Sequence, residues 1–152
     1  MRRNGIVSVT DDFAAAVHEA DYVSLHIPAT PANARFVDGA RIGLMSPQCW
    51  LINTARGAVV DENALYDALV AARIRGAAID VFEREPYVPS DAARDLRKLD
   101  NVVLTPHMGS NTGEANARMA QRALQNIAWA AAGECRSMDL LNPEVLGASR
   151  PD

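Results

Sequence analysis

Four short apolar runs punctuate the first two thirds of the chain: Tyr22 to Ile27, Trp50 to Ile52, Ala77 to Phe82 and Val102 to Leu104. Each is bounded by polar, Gly or Pro residues and none alternates strictly, the pattern of strands buried on both faces. Between them the spacing turns helical, most clearly from Asn63 to Arg73, where Leu65, Leu69 and Ala72 recur at three or four and Asp61 stands ready as N-cap. Buried strands alternating with helices predict a mainly parallel sheet joined by right-handed crossovers, the α/β class.

The pattern changes after His107. Asn111 with Glu114 reads as a capping box, and Met119, Ala120, Ala123, Leu124, Ile127 and Ala131 form one apolar stripe of a long helix that Gly133 would stop. Met138 to Pro143 follows as an irregular apolar stretch that wants a partner surface, and 147–152 reads as a loose tail.

At 152 residues, with 49% hydrophobic and 22% charged residues, the chain can bury one real core and shows no sign of disorder or repeat. A net charge of -4 provides no basic stripe for nucleic acid, and no run approaches the roughly 20 apolar residues of a membrane span. Cys49 and Cys135, unrelated in context, suit a reducing compartment and read as buried thiols. With no apolar leader after Met1, the expectation is a cytoplasmic protein. Scattered His and Cys give no metal-ligand spacing, so no metal site is expected. His26, inside an apolar run, reads as a hydrogen-bonded core histidine, and His18 as solvated.

Three polar residues stand where strands give way to loops: Arg56 after Leu51-Ile52-Asn53-Thr54, Glu85 after Asp80-Val81-Phe82, and His107 after Leu104-Thr105-Pro106. In open parallel sheets the ligand crevice lies outside the carboxyl ends of the strands, so all three could meet. They make a useful chemical set: a guanidinium fork for a carboxylate, an imidazole to exchange a proton, and a carboxylate to orient that imidazole. Taken singly, each has an ordinary alternative: a solvated loop arginine, a chain-turning histidine, and a glutamate in the charged run Glu83-Arg84-Glu85.

Four segments in order carry a more specific signal: Asp21-Tyr22-Val23-Ser24-Leu25-His26-Ile27-Pro28, Ile52-Asn53-Thr54-Ala55-Arg56-Gly57, Ala78 to Pro86, and Leu104-Thr105-Pro106-His107-Met108-Gly109-Ser110. Together they resemble the D-isomer-specific 2-hydroxyacid dehydrogenases, over about Gly5 to Pro143. That resemblance implies a partial Rossmann-like sheet. Residues 1–110 would be the C-terminal half of an NAD-binding Rossmann domain, and 111–152 a hinge helix and a segment returning to the substrate domain. It implies NAD as cofactor, with NADP open, and a small 2-hydroxy or 2-keto acid as substrate. Arg56 would hold the substrate carboxylate, His107 would exchange a proton with the C2 oxygen, and Glu85 would partner His107. Contacts to the nicotinamide end would come from Thr54, Ala55, Asp80 and the turn His107, Gly109 and Ser110, the loop with Ile27, Pro28 and Thr30 would border the adenosine-to-nicotinamide path, and Arg56 would also contact the cofactor.

No glycines stand at GxGxxG spacing, and the acidic residue that would hold the adenosine ribose is missing too. The expectation is therefore a chain incomplete and inactive by itself. An uncovered sheet edge would then favour a homo-oligomer or a missing N-terminal half as partner. The competing expectation is a non-enzymatic binding or dimerisation module like the related corepressors.

Overall fold

The computed structural model describes residues 5–147; the expectations for Met1 to Asn4 and for the end of the tail lie outside them. The described residues fall into two compact units, one ending at His107 and one starting at Met108.

The first unit holds a four-stranded parallel sheet: β1 (Tyr22–Leu25), β2 (Trp50–Asn53), β3 (Gly76–Ile79) and β4 (Val102–Leu104), lying side by side in chain order. Between and around them come α1 (Phe13–Val17), α2 (Gly39–Ile42) and α3 (Glu62–Val70). When each strand adds beside the last in one direction, right-handed crossovers all pass over the same face. The register shows that face. Val23, Leu51, Ala77 and Val102 form one row across the sheet, and Leu25, Asn53, Ile79 and Leu104 form the next. Leu51, Ala77, Leu25 and Ile79 are buried in one cluster with Ile42 of α2 and with Leu65 and Leu69 of α3.

The opposite face departs from the expectation of strands buried on both sides. Its central row runs Ser24, Ile52, Ala78, Val103, with Ser24 exposed, Ile52 and Ala78 half-buried and Val103 exposed. No crossover between the described strands passes there. Trp50 lies across Gly76, where a Cβ would come within 2.5 Å of the indole ring.

Several boundaries are tighter than the hydrophobic pattern predicts. β1 ends at Leu25 rather than Ile27, and β3 ends at Ile79, so Asp80, Val81 and Phe82 belong to the following loop although Val81 and Phe82 are buried. Hydrophobicity there reflects loop packing, not strand pairing. Helix α3 starts as expected, with Asp61 accepting from the Asn63 and Ala64 amides. It stops at Val70, not Arg73, because Ala72 takes a left-handed conformation with φ 51°. Cys49 is buried as expected, whereas Cys135 is only half-buried; both are free thiols. His26 is exposed, not in the core, and its Nε2 lies 2.9 Å from the Ser24 hydroxyl.

The second unit is built on α4 (Gly113–Ala131). Its N-cap is Thr112, whose hydroxyl accepts from the Ala115 amide, not Asn111, which instead accepts from the Asn116 side chain. Gly133 closes the helix at φ 74°, its amide donating to the Ala130 carbonyl while the Glu134 amide reaches back to Trp129, a Schellman arrangement. Asp139 then pairs with Arg122 at 2.6 Å and bonds Asn126, tying the irregular segment to the helix. Among the described residues of its own unit none buries the apolar stripe of Met119, Leu124 and Ile127. No helix among the described residues is long and apolar enough to cross a membrane.

Candidate active site

Arg56 follows β2, and its position is set by a buried amide. Asn53, the last residue of the strand, is 1% exposed; its Oδ1 accepts from the Ala55 amide and its Nδ2 donates to the Arg56 carbonyl. An amide side chain serves both needs, where an apolar one would take the acceptor from the Ala55 amide and leave the Arg56 carbonyl with the Val59 amide alone. The turn then enters Gly57, where a Cβ would sit 1.9 Å from the Phe82 carbonyl carbon. Only glycine allows this contact, which presses the Arg56 loop against the loop after β3.

That second loop carries Glu85. Its Oε1 accepts from the Phe82 amide at 3.1 Å, closing a turn upon itself, and the Glu85–Pro86 peptide is cis. The Glu83 amide donates to Oε1 of Glu62, on α3, at 2.6 Å. Arg35, at φ 50°, lies 3.5 Å from the Glu83 carboxylate and 3.7 Å from that of Asp61.

His107 follows β4 in a left-handed conformation, φ 52°, which an ordinary side chain adopts at a cost of about 1 kcal/mol or more. Asp80 holds it there: one carboxylate oxygen accepts both the Thr105 hydroxyl and, at 3.1 Å, the His107 amide. The ring Nδ1 is then 2.8 Å from Oε2 of Glu85. Since a carboxylate only accepts, Nδ1 carries the hydrogen and Nε2 has no partner among the described residues. The hydrogen bond from His107, aided by the Phe82 amide and by the nearby Arg56 charge, holds the Glu85 carboxyl below the usual carboxylate range.

A carboxyl held low in the folded state contributes stability that is complete above its unfolded value, about 4.3, and is lost as pH falls through the folded one. The gap in urea midpoint between wild type and Glu85→Gln is therefore expected to close as pH falls below about 5. A gap that widened in acid would contradict the ion pair.

Arg56, Glu85 and His107 line one cleft of about 440 Å³, with Ala29, Gly57, Ala58, Phe82 and Glu83. Beside it, at the carboxyl ends of β1 and β2, a hollow of about 520 Å³ is lined by His26, Ile27, Pro28, Ala29, Thr54, Ala55 and Arg56. Five of the expected cofactor residues thus share one hollow. Thr30 is not among its lining; it caps the short turn Pro31–Asn33. Asp80 bonds the His107 turn, and Gly109 and Ser110 belong to the second unit. The sequence offered no role for Asn53, Glu62, Arg35 or Gly57 as supports. A polar residue ending an apolar strand was the one available signal, at Asn53.

Residues 3–109 match the family described as D-isomer specific 2-hydroxyacid dehydrogenase, NAD binding domain. The chain belongs to this family. It is 45% identical over 140 residues to a glyoxylate reductase of Thermococcus litoralis, a match covering 92% of this chain and 41% of the relative. To a D-3-phosphoglycerate dehydrogenase of Methanocaldococcus jannaschii it is 38% identical over 149 residues, 95% of this chain and 28% of the relative. Its fold superposes on a D-lactate dehydrogenase from Aquifex aeolicus, complexed with NAD and lactic acid, with a TM-score of 0.74 and 30% identity over 84% of this chain and 42% of that one. The chain spans about two fifths or less of the length of each. NAD fits what the hollow provides: apolar walls from Ile27, Pro28 and Ala55 beside the Thr54 hydroxyl, open at the strand ends where such ligands lie.

Proposed function

We propose that this chain supplies the proton-transfer and carboxylate-binding groups of an NAD-dependent oxidoreductase that interconverts small 2-hydroxy and 2-keto acids, glyoxylate and hydroxypyruvate foremost. The observation that supports it best is the Glu85–His107 pair at 2.8 Å, with Nε2 left free in a cleft shared with Arg56. Thr54, Ala55 and Asp80 would hold the nicotinamide end of NAD, with Ile27 and Pro28 bordering its path, and NAD when bound supplies or accepts the hydride at C2.

Arg56 binds the substrate carboxylate with its guanidinium fork. In reduction, protonated His107 delivers the proton on Nε2 to the C2 oxygen, so that hydride and proton together convert the ketone to the alcohol. Glu85 accepts from Nδ1 throughout, fixing the ring and stabilising its positive charge before transfer. In oxidation, neutral Nε2 takes the hydroxyl proton. The 152 residues include no phosphate-gripping glycine turn, so the activity belongs to this chain joined to one.

The test is a chimera in which this chain replaces the matching part of the Thermococcus litoralis glyoxylate reductase. NADH oxidation with glyoxylate or hydroxypyruvate is expected from the chimera and not from the 152-residue chain alone. A folded chimera that binds NADH yet reduces no 2-keto acid would refute the reading.

A further inference from the structure

Glu62 is a carboxylate in an unexpected place. As the first residue of α3 it belongs to the turn where acids usually sit in solvent and favour the helix dipole. Here Asp61 already caps the Asn63 and Ala64 amides, and Glu62 is 7% exposed. Burying a carboxylate is costly unless it is hydrogen-bonded. The partner is the Glu83 amide, 21 residues further along the chain, at 2.6 Å. Burial pushes the Glu62 carboxyl up, with that amide opposing the shift and the Glu83 and Asp61 charges adding to it. Arg35, close to both Glu83 and Asp61, offsets the crowding of acids.

The position of Glu83 decides that of Glu85. Phe82, Glu83 and Glu85 form one turn, in which the Phe82 amide binds Glu85, the Phe82 carbonyl rests on Gly57, and the Glu83 amide is held by Glu62. Gly57 fixes how closely the turn approaches the Arg56 loop. Glu62 fixes it from α3, an element that otherwise has no part in the site.

We propose that Glu62 is a positioning residue: through the Glu83 amide it sets the turn that brings Glu85 to His107, and so fixes the tautomer and orientation of the imidazole. It lines neither the cleft with Arg56 and His107 nor the hollow beside it. The proposal deepens the function proposed above and rests on it for its catalytic meaning, while the coupling between Glu62 and the His107 ring can be read without turnover. What matters is an acceptor at this distance. Glu62→Gln keeps one, Glu62→Asp withdraws it by a methylene while keeping an acid in the first turn, and Glu62→Ala removes it.

The decisive measurement is the ¹⁵N spectrum of the His107 ring nitrogens in the full 152-residue chain, at roughly pH 8 where an ordinary imidazole is neutral. The wild type is expected to show the Nδ1–H form, held by Glu85. Glu62→Asp and Glu62→Ala are expected to shift it toward the Nε2–H form favoured by a free imidazole, with backbone amide spectra otherwise unchanged in the core, and Glu62→Gln to restore the wild-type form. Should Glu62→Ala fail to fold, Glu62→Asp carries the test. A folded Glu62→Asp with the wild-type ring spectrum would overturn the proposal and leave Glu62 a purely structural residue. So would a Glu62→Gln that loses the Nδ1–H form as fully as Glu62→Asp.

In the chimera, Glu62→Asp is expected to lower kcat for glyoxylate by about a hundredfold, as for a reacting group displaced by about 1 Å, with little change in KM. Arg56 is held separately, by Asn53. A chimera wholly without reductase activity would refute the proposed function, whereas the ring spectra would still decide the role of Glu62.

Discussion

His107→Ala in the chimera is expected to reduce glyoxylate turnover by about 10² to 10⁴, the range for loss of a positioned general acid. NADH affinity should change little. Without the imidazole the C2 oxygen must take its proton from water in the same step as hydride arrival, and no other described side chain replaces it. Glu85 cannot, because its carboxyl is held in the ionised range by its surroundings and has no proton to give near neutrality. NADH absorbance followed at saturating glyoxylate gives kcat directly. A loss below about tenfold would assign the proton transfer to some other group.

The second large effect falls on a residue with no side chain. Gly57→Ala would put a methyl group 1.9 Å from the Phe82 carbonyl carbon and 2.0 Å from its oxygen. Both are backbone atoms, so no rotamer relieves the overlap, and the Arg56 and Glu85 loops must separate. Overpacking in a well-filled interior costs typically 1–3 kcal/mol, and a backbone clash this close is expected at about 3 kcal/mol or above. Denaturant unfolding of the 152-residue chain measures it. The same variant should lose the Nδ1–H form of His107. A Gly57→Ala protein within about 0.5 kcal/mol of wild type would mean that the two loops are not in contact.

How much of this was legible in sequence differs from feature to feature. The parallel α/β arrangement was, because apolar runs alternating with helical spacing leave few ways to bury both. So was the start of α3, where Asp61 is a cap in sequence and in space. The boundary of β3 was not, since Val81 and Phe82 are as apolar as a strand residue but face the interior from a loop. Cover over the second face was also misjudged. Buried strands and half-covered ones both read as unbroken apolar runs, and only strand order shows that every crossover passes one side. At the site, Arg56, Glu85 and His107 were visible as polar residues at strand ends. Their supports were not. Glu62 looks like any first-turn acid, Gly57 like any loop glycine, and the left-handed backbone of His107 leaves no compositional trace.

The order β1-β2-β3-β4 has a consequence for how the first unit comes into being. In a sheet whose strands wind outward from the middle, some strands must wait for distant partners. Here each of β2 to β4 pairs with the strand just before it, so each can add to an edge that is already made. During synthesis the unit can grow at one edge as it emerges. The Arg56 loop is made first, the Glu85 turn second, and His107 last, directly after β4. The imidazole therefore meets its carboxylate only once everything beneath them has been assembled.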